Sequence, residues 1–182
     1  CVLHAPLFHP AMKQVAPIRK ALGVKTFFNM LGPMVNPAFP THQMVGVFNL
    51  ELARIYGYLY QKTDKNYSIV HALDGYDEVS LTGATKIITR ENEMVLDPSS
   101  FGVNTLQAHE ISGGESVPSA AAIFVDILSG KGTDAQNNVV CANAAMAINK
   151  VKNKGILTAF EQAKETLLSG AALKKLQQLQ AL

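Results

Sequence analysis

Residues 44–72 read MVGVFNLELARIYGYLYQKTDKNYSIVHA, and the order of the apolar runs within them decides the fold. Residues 44–48 form a short apolar run of strand length. In the stretch that follows, to about Gln61, Leu52, Tyr56, Leu59 and Tyr60 recur at helical spacing and are expected to form an inner face. Ser68-Ile69-Val70-His71-Ala72 is a second strand, rich in β-branched and apolar residues. Strand, helix, strand in that order predicts two parallel strands joined by a right-handed crossover.

Working outward, residues 85–90 and 93–96 read as a hairpin turning at Glu91-Asn92, and residues 1–5 read as another short buried strand. Together they predict an α/β fold: a central, mostly parallel sheet with a short hairpin, surrounded by helices. Residues 10–22 are helical in pattern, with Gly23 as a stop and a break expected at Pro17. Residues 27–37 are apolar but punctuated by glycine and proline, so a structured loop with a helical turn is expected there. From Ser116 onward the pattern is helical throughout. The expected inner faces are Ala121/Phe124/Val125/Leu128, an Ala-rich helix over 138–151, Phe160/Ala163/Leu167 and Leu173/Leu176/Leu179. Gly130, Gly155 and Gly170 mark the boundaries between them. Gly130-Lys131-Gly132-Thr133-Asp134 follows a helix instead of a strand, so it is read as an interhelical turn with Asp134 as N-cap, not as a phosphate loop.

The composition narrows the function classes. A chain of 182 residues, 48% apolar and 16% charged, suits one globular domain, here 1–182 as a single α/β unit. A net charge of +2 with scattered Lys and Arg gives no argument for nucleic acid. No apolar run approaches the ~18 residues a membrane span needs. Cys1 and Cys141 make no CxxC pattern, which fits a reducing cytosol. The chain begins at Cys1 with no initiator Met and no signal-peptide pattern, and a start inside a strand suggests a piece of a longer protein.

Three clusters could carry chemistry. His9, between an expected strand and a helix, stands where open α/β sheets place ligands, and Arg19 offers a planar fork of donors suited to carboxylate or phosphate. The alternative is a capping His and a surface Arg. Asp74-Gly75-Tyr76-Asp77-Glu78 follows a strand directly, and its paired carboxylates could hold magnesium or be a solvated acidic turn. The loop carrying Gly32-Pro33 and Asn36-Pro37 would let a flat substrate approach the backbone, or could be a buried connection. His4, His42, His71 and His109 share no metal-ligand spacing and are read as structural.

These clusters, in this order, resemble the anthranilate phosphoribosyltransferase family. The resemblance runs through His9-Pro10-Ala11-Met12, Val15-Ala16-Pro17-Ile18-Arg19, Phe28-Asn29-Met30-Leu31-Gly32-Pro33, Asn36-Pro37, Asp74-Gly75-Tyr76-Asp77-Glu78, Ser80-Leu81-Thr82-Gly83, Gly113-Gly114 and Ser169-Gly170-Ala171-Ala172-Leu173. It implies that Arg19 pairs with the anthranilate carboxylate, that His9 lines the route to that pocket, and that Gly32 and Pro33 wall the ring. Asp77 and Glu78 would bind Mg2+ carried by phosphoribosyl pyrophosphate; no residue is assigned as a catalytic acid or base. The implied reaction is attack of the anthranilate amine on ribose C1 with magnesium pyrophosphate leaving, in tryptophan biosynthesis, by a cytoplasmic homodimer that uses neither nucleic acid nor membrane. The family's G-T-G-G-D phosphate loop and K-H-G-N segment have no counterpart in this sequence. The chain is therefore expected to be a C-terminal portion, lacking the N-terminal helical domain and inactive alone. Two other readings are a pyrimidine nucleoside phosphorylase-like enzyme, whose lysine-rich signature is absent, and a non-catalytic nucleic-acid-binding relative.

Overall fold

The computed structural model describes residue 3, residues 5–24 and residues 28–181. They form two compact units, residues 1–40 and 41–182.

The first unit is helical. Short α1 (Ala5–Phe8) precedes α2 (Pro10–Leu22), and α3 (Phe28–Leu31) runs directly into a 3-10 turn, Gly32–Met34. The strand expected over 1–5 is not found among the described residues: Ala5 is already helical, and residues 1, 2 and 4 lie outside them. His9 accordingly follows a helical turn, and its carbonyl accepts from Lys13 N at 3.3 Å, the first hydrogen bond of α2. Pro10, the next residue, has no N–H for a helix start to leave unpaired. The break expected at Pro17 does not occur, because α2 runs through it. A proline removes one i→i−4 bond, and the helix-forming residues around it (Lys13, Gln14, Ala16, Arg19, Lys20, Ala21) can carry the helix past that gap. Gly23, at φ +63°, provides the left-handed stop.

The second unit is built on a four-stranded sheet in the order β1 (His42–Gly46), β2 (Asn66–Ala72), β3 (Thr85–Thr89), β4 (Glu93–Leu96). β1 and β2 are parallel, joined through α4 (Leu50–Gln61), as the strand-helix-strand pattern predicts. The two later pairings are antiparallel, with Val70 opposite Ile87 and Ile87 opposite Met94. The α/β class holds, but the sheet is mixed. The link from β2 to β3 contains no crossover helix, and without one the returning strand pairs antiparallel. Six of the seven residues of β2 are buried, the near-continuous apolar run of a strand covered on both faces.

On one face α4 packs on β2 and β3, where the Tyr60 and Tyr67 rings stack at 5.2 Å. The Asn49 side chain caps α4, accepting from Leu52 N at 2.8 Å. The buried face of α4 is Leu52, Ala53, Tyr56, Gly57 and Tyr60. Leu59 is exposed, because it lies about 90° round the helix from the middle of that face. On the other face Val70 and Ile87 meet Cys141, Ala142, Ala145 and Met146 of α6 (Asp134–Lys152) and Phe160, Ala163 and Leu167 of α7 (Ile156–Leu168).

α5 (Val117–Leu128) turns inward on Ile127, with Ile123 packed beside it; Phe124 and Val125 are exposed, against expectation. Apolar residues fill 120–125, so periodicity cannot choose among the faces. In α8 (Ala171–Gln180) Leu173 and Leu176 are half-buried and Leu179 is exposed. Gly130, Gly155 and Gly170 stand at the helix boundaries as expected. The N-cap of α6 is Thr133, not Asp134: the Thr133 hydroxyl accepts from Gln136 N at 3.2 Å, and Gln136 Oε1 accepts from Thr133 N. Among the described residues no helix is long and apolar enough to cross a membrane.

Candidate active site

The loop leaving β2 is held by a network of polar contacts. At its start Gly75, φ +106°, donates its N–H to Ala72 O at 2.9 Å, and Ala72 N donates to Tyr76 O at 2.9 Å. This tight turn needs a residue without a Cβ. Asp74 closes the loop on itself: Ser80 Oγ donates to Asp74 Oδ1 at 3.3 Å, and Thr82 Oγ1 donates to Asp74 Oδ2. Between these anchors Leu81 is buried and takes φ +60°, a rare conformation for a side chain of its size. Its carbonyl accepts from Leu106 N at 2.9 Å, so the core and the next segment hold the turn in place.

Asp77 and Glu78 project from this braced loop and are both exposed. Although Glu78 as a residue is exposed, the loop takes part of the water away from its carboxyl; that desolvation, and then the neighbouring Asp77 charge, raise it above its ordinary value. Among the described residues no group of three or more His, Cys, Asp or Glu could hold a metal ion unaided. Two adjacent carboxylates with open coordination positions fit a magnesium ion that brings oxygen ligands with it.

Two residues that sequence reasoning missed lie against the backbone of the acid pair and its neighbour Val79. At the end of β1, Gly46 lies so close to Asp77 that a Cβ there would come within 1.7 Å of the Asp77 carbonyl oxygen. On α6, Asn143 Oδ1 accepts from Val79 N at 3.0 Å while its Nδ2 donates to Val79 O at 2.8 Å. An asparagine inside an Ala-rich helix, flanked by buried Cys141, Ala142, Ala145 and Met146, is the only trace of this in the sequence.

In the first unit His9 and Gly32 line one small cavity of about 150 Å³, together with Leu3, Phe8, Val35, Asn36 and Pro37. Pro33 is half-buried beside Gly32 in the 3-10 turn. Asn36 Oδ1 accepts from Ala38 N at 2.9 Å, fixing the turn that follows. Arg19 lies on α2, but its side chain is outside the described residues. Buried His71 is structural, its Nδ1 lying 2.8 Å from Val47 O, as expected of it.

Residues 1–173 match the model of the glycosyl transferase family, a/b domain. The chain belongs to that family. Within this glycosyl transferase family it is 66% identical, over all 182 residues, to an anthranilate phosphoribosyltransferase of Flavobacterium psychrophilum, and covers 55% of that relative. To the namesake enzyme of Christiangramia forsetii it is 63% identical over the same length. The fold superimposes on the anthranilate phosphoribosyltransferase of Saccharomyces cerevisiae in complex with PRPP and Mg with a TM-score of 0.84. Identity there is 30%, with 95% of this chain and 50% of the yeast chain covered. The corresponding Thermus thermophilus structure gives a TM-score of 0.85 at 28% identity, covering 97% and 53%. This glycosyl transferase family chain thus spans about half the length of the relatives it matches.

Proposed function

We propose that the chain is the C-terminal α/β portion of an anthranilate phosphoribosyltransferase, and that the whole protein transfers phosphoribose from phosphoribosyl pyrophosphate to anthranilate in tryptophan biosynthesis. One observation carries the reading in the structure: Asp77 and Glu78 stand exposed and adjacent on a braced loop at the carboxyl end of β2, where α/β sheets gather their ligands. Magnesium, when bound there with the pyrophosphate, supplies charge neutralisation for the leaving group. The task of the two carboxylates is to fix where that ion sits.

The pocket of the first unit supports the second half of the reading. Its walls are apolar side chains and the backbone at Gly32, with His9 and Asn36 as polar groups. That lining suits a flat aromatic ring with one polar edge. Arg19 is assigned to the anthranilate carboxylate, and residues 1–182 to one α/β portion of a cytoplasmic, homodimeric enzyme. The bond change at ribose C1 needs positioning and leaving-group stabilisation more than a strong base. The acid pair favours a metal-bound pyrophosphate over the pyrimidine nucleoside phosphorylase reading.

Arg19→Ala in the full-length protein tests the assignment. Loss of a charge-assisted pair costs about 2 kcal/mol, so KM for anthranilate should rise roughly thirtyfold. KM for phosphoribosyl pyrophosphate should change little. Unchanged anthranilate kinetics would remove Arg19 from the site.

A further inference from the structure

We propose that Asn143 is a positioning residue for the acid pair, setting the backbone of Glu78 from helix α6; the proposal rests on reading Asp77 and Glu78 as the seat of magnesium pyrophosphate. The geometry is specific to Glu78. The N–H that Asn143 Oδ1 receives at 3.0 Å belongs to the peptide joining Glu78 to Val79. The same amide group donates to Val79 O at 2.8 Å and to Val139 O, one turn back on its own helix, at 3.0 Å. Acceptor and donors are all engaged, so the amide plane cannot rotate without breaking a bond. Val79 itself is buried, and water is a poor substitute for either partner.

The peptide on the other side of Glu78 is crowded from one side. Its carbonyl, that of Asp77, packs against Gly46 where no Cβ would fit. Asn143 thus anchors the peptide that follows Glu78 and Gly46 crowds the one before it, which together limit the φ and ψ of Glu78 and so the direction in which its Cα–Cβ bond leaves the loop. Partners of this kind, one step removed from a metal, typically change its affinity 10–100-fold when lost. A purely structural asparagine would satisfy the same backbone groups, but its loss would reduce the amount of folded protein without changing the quality of the site that remains.

The test is calorimetric titration of the full-length protein with premixed magnesium pyrophosphate, because stoichiometry reports the folded fraction and Kd reports the site. For Asn143→Ala we expect Kd to weaken about tenfold, with KM rising for phosphoribosyl pyrophosphate and unchanged for anthranilate. Amide hydrogen exchange should quicken at Val79 while Ala142 and Ala145 stay protected. An unchanged Kd at any stoichiometry would overturn the proposal. If Asn143→Ala yields no folded protein, Asn143→Leu, which keeps the side-chain size and removes both bonds to Val79, is read by the same criterion. Asp77→Asn with Glu78→Gln runs alongside. Wild-type affinity in that double variant would sink the metal reading itself, whereas weak binding there with an unchanged Kd in the Asn143 variant would sink only the positioning role.

Discussion

At the scale of single residues, the state of Glu78 links stability to the proposed chemistry. Its carboxyl titrates above the ordinary carboxylate range, first because it is partly buried and then because Asp77 lies beside it. The folded protein therefore holds that proton more tightly than the unfolded chain. The stabilisation this gives is complete below the unfolded value and is lost as pH rises through the raised folded value. Glu78→Gln should accordingly raise Tm at neutral pH and give no gain in acid below the usual carboxylate range, while lowering turnover in the full-length enzyme. Thermal melts across that pH range decide it; an equal Tm difference at both ends would mean that the Glu78 charge is not what lowers stability at neutral pH. The adjacency of Asp77 and Glu78 was legible in the sequence, because two acids directly after an apolar strand form a local pattern. Asn143 was not, because its partner Val79 is 64 residues away and nothing in an Ala-rich helix names it.

At the scale of elements, the close approach of the β2 loop to the end of β1 is the sharpest constraint. Gly46→Ala would put a Cβ against a backbone carbonyl instead of a side chain that could swing away. Overpacking of this kind costs about 1–3 kcal/mol, and the rigid neighbour argues for the upper part of that range. Denaturant unfolding of the variant should show this loss, with binding of magnesium pyrophosphate weakened as Asp77 shifts; unchanged stability would mean that the loop moves aside freely. The elements themselves were readable where one period dominated. The strand-helix-strand expected over 44–72 is found over 42–72, and the hairpin expected near 85–96 is found there. Among the readings that failed, two have a plain physical reason. The all-apolar run of α5 offers every face to the core, so its inner side could not be chosen. Pro17 cannot by itself break a helix whose neighbours support it, and α2 continues through it.

At the scale of the whole molecule, the chain spans 55% of its Flavobacterium psychrophilum relative. The sequence has no counterpart of the glycine-rich phosphate loop that the resemblance leads one to seek. A backbone cradle of N–H groups is the usual holder of phosphates, and two carboxylates cannot replace it. Residues 1–182 alone should therefore show no phosphoribosyl transfer, and turnover by that piece, free of host enzyme, would mean that a phosphate cradle has been overlooked. The family was legible from several motifs arriving in one order, each of them ambiguous singly. The mixed character of the sheet was not, because strand direction depends on how the chain returns rather than on composition. The most direct measurement is the loss of anthranilate fluorescence on incubating the full-length protein with anthranilate, phosphoribosyl pyrophosphate and magnesium. Consumption that requires all three components and collapses in the Asp77→Asn, Glu78→Gln double variant is the predicted result; a folded full-length protein that leaves anthranilate unconsumed would contradict it.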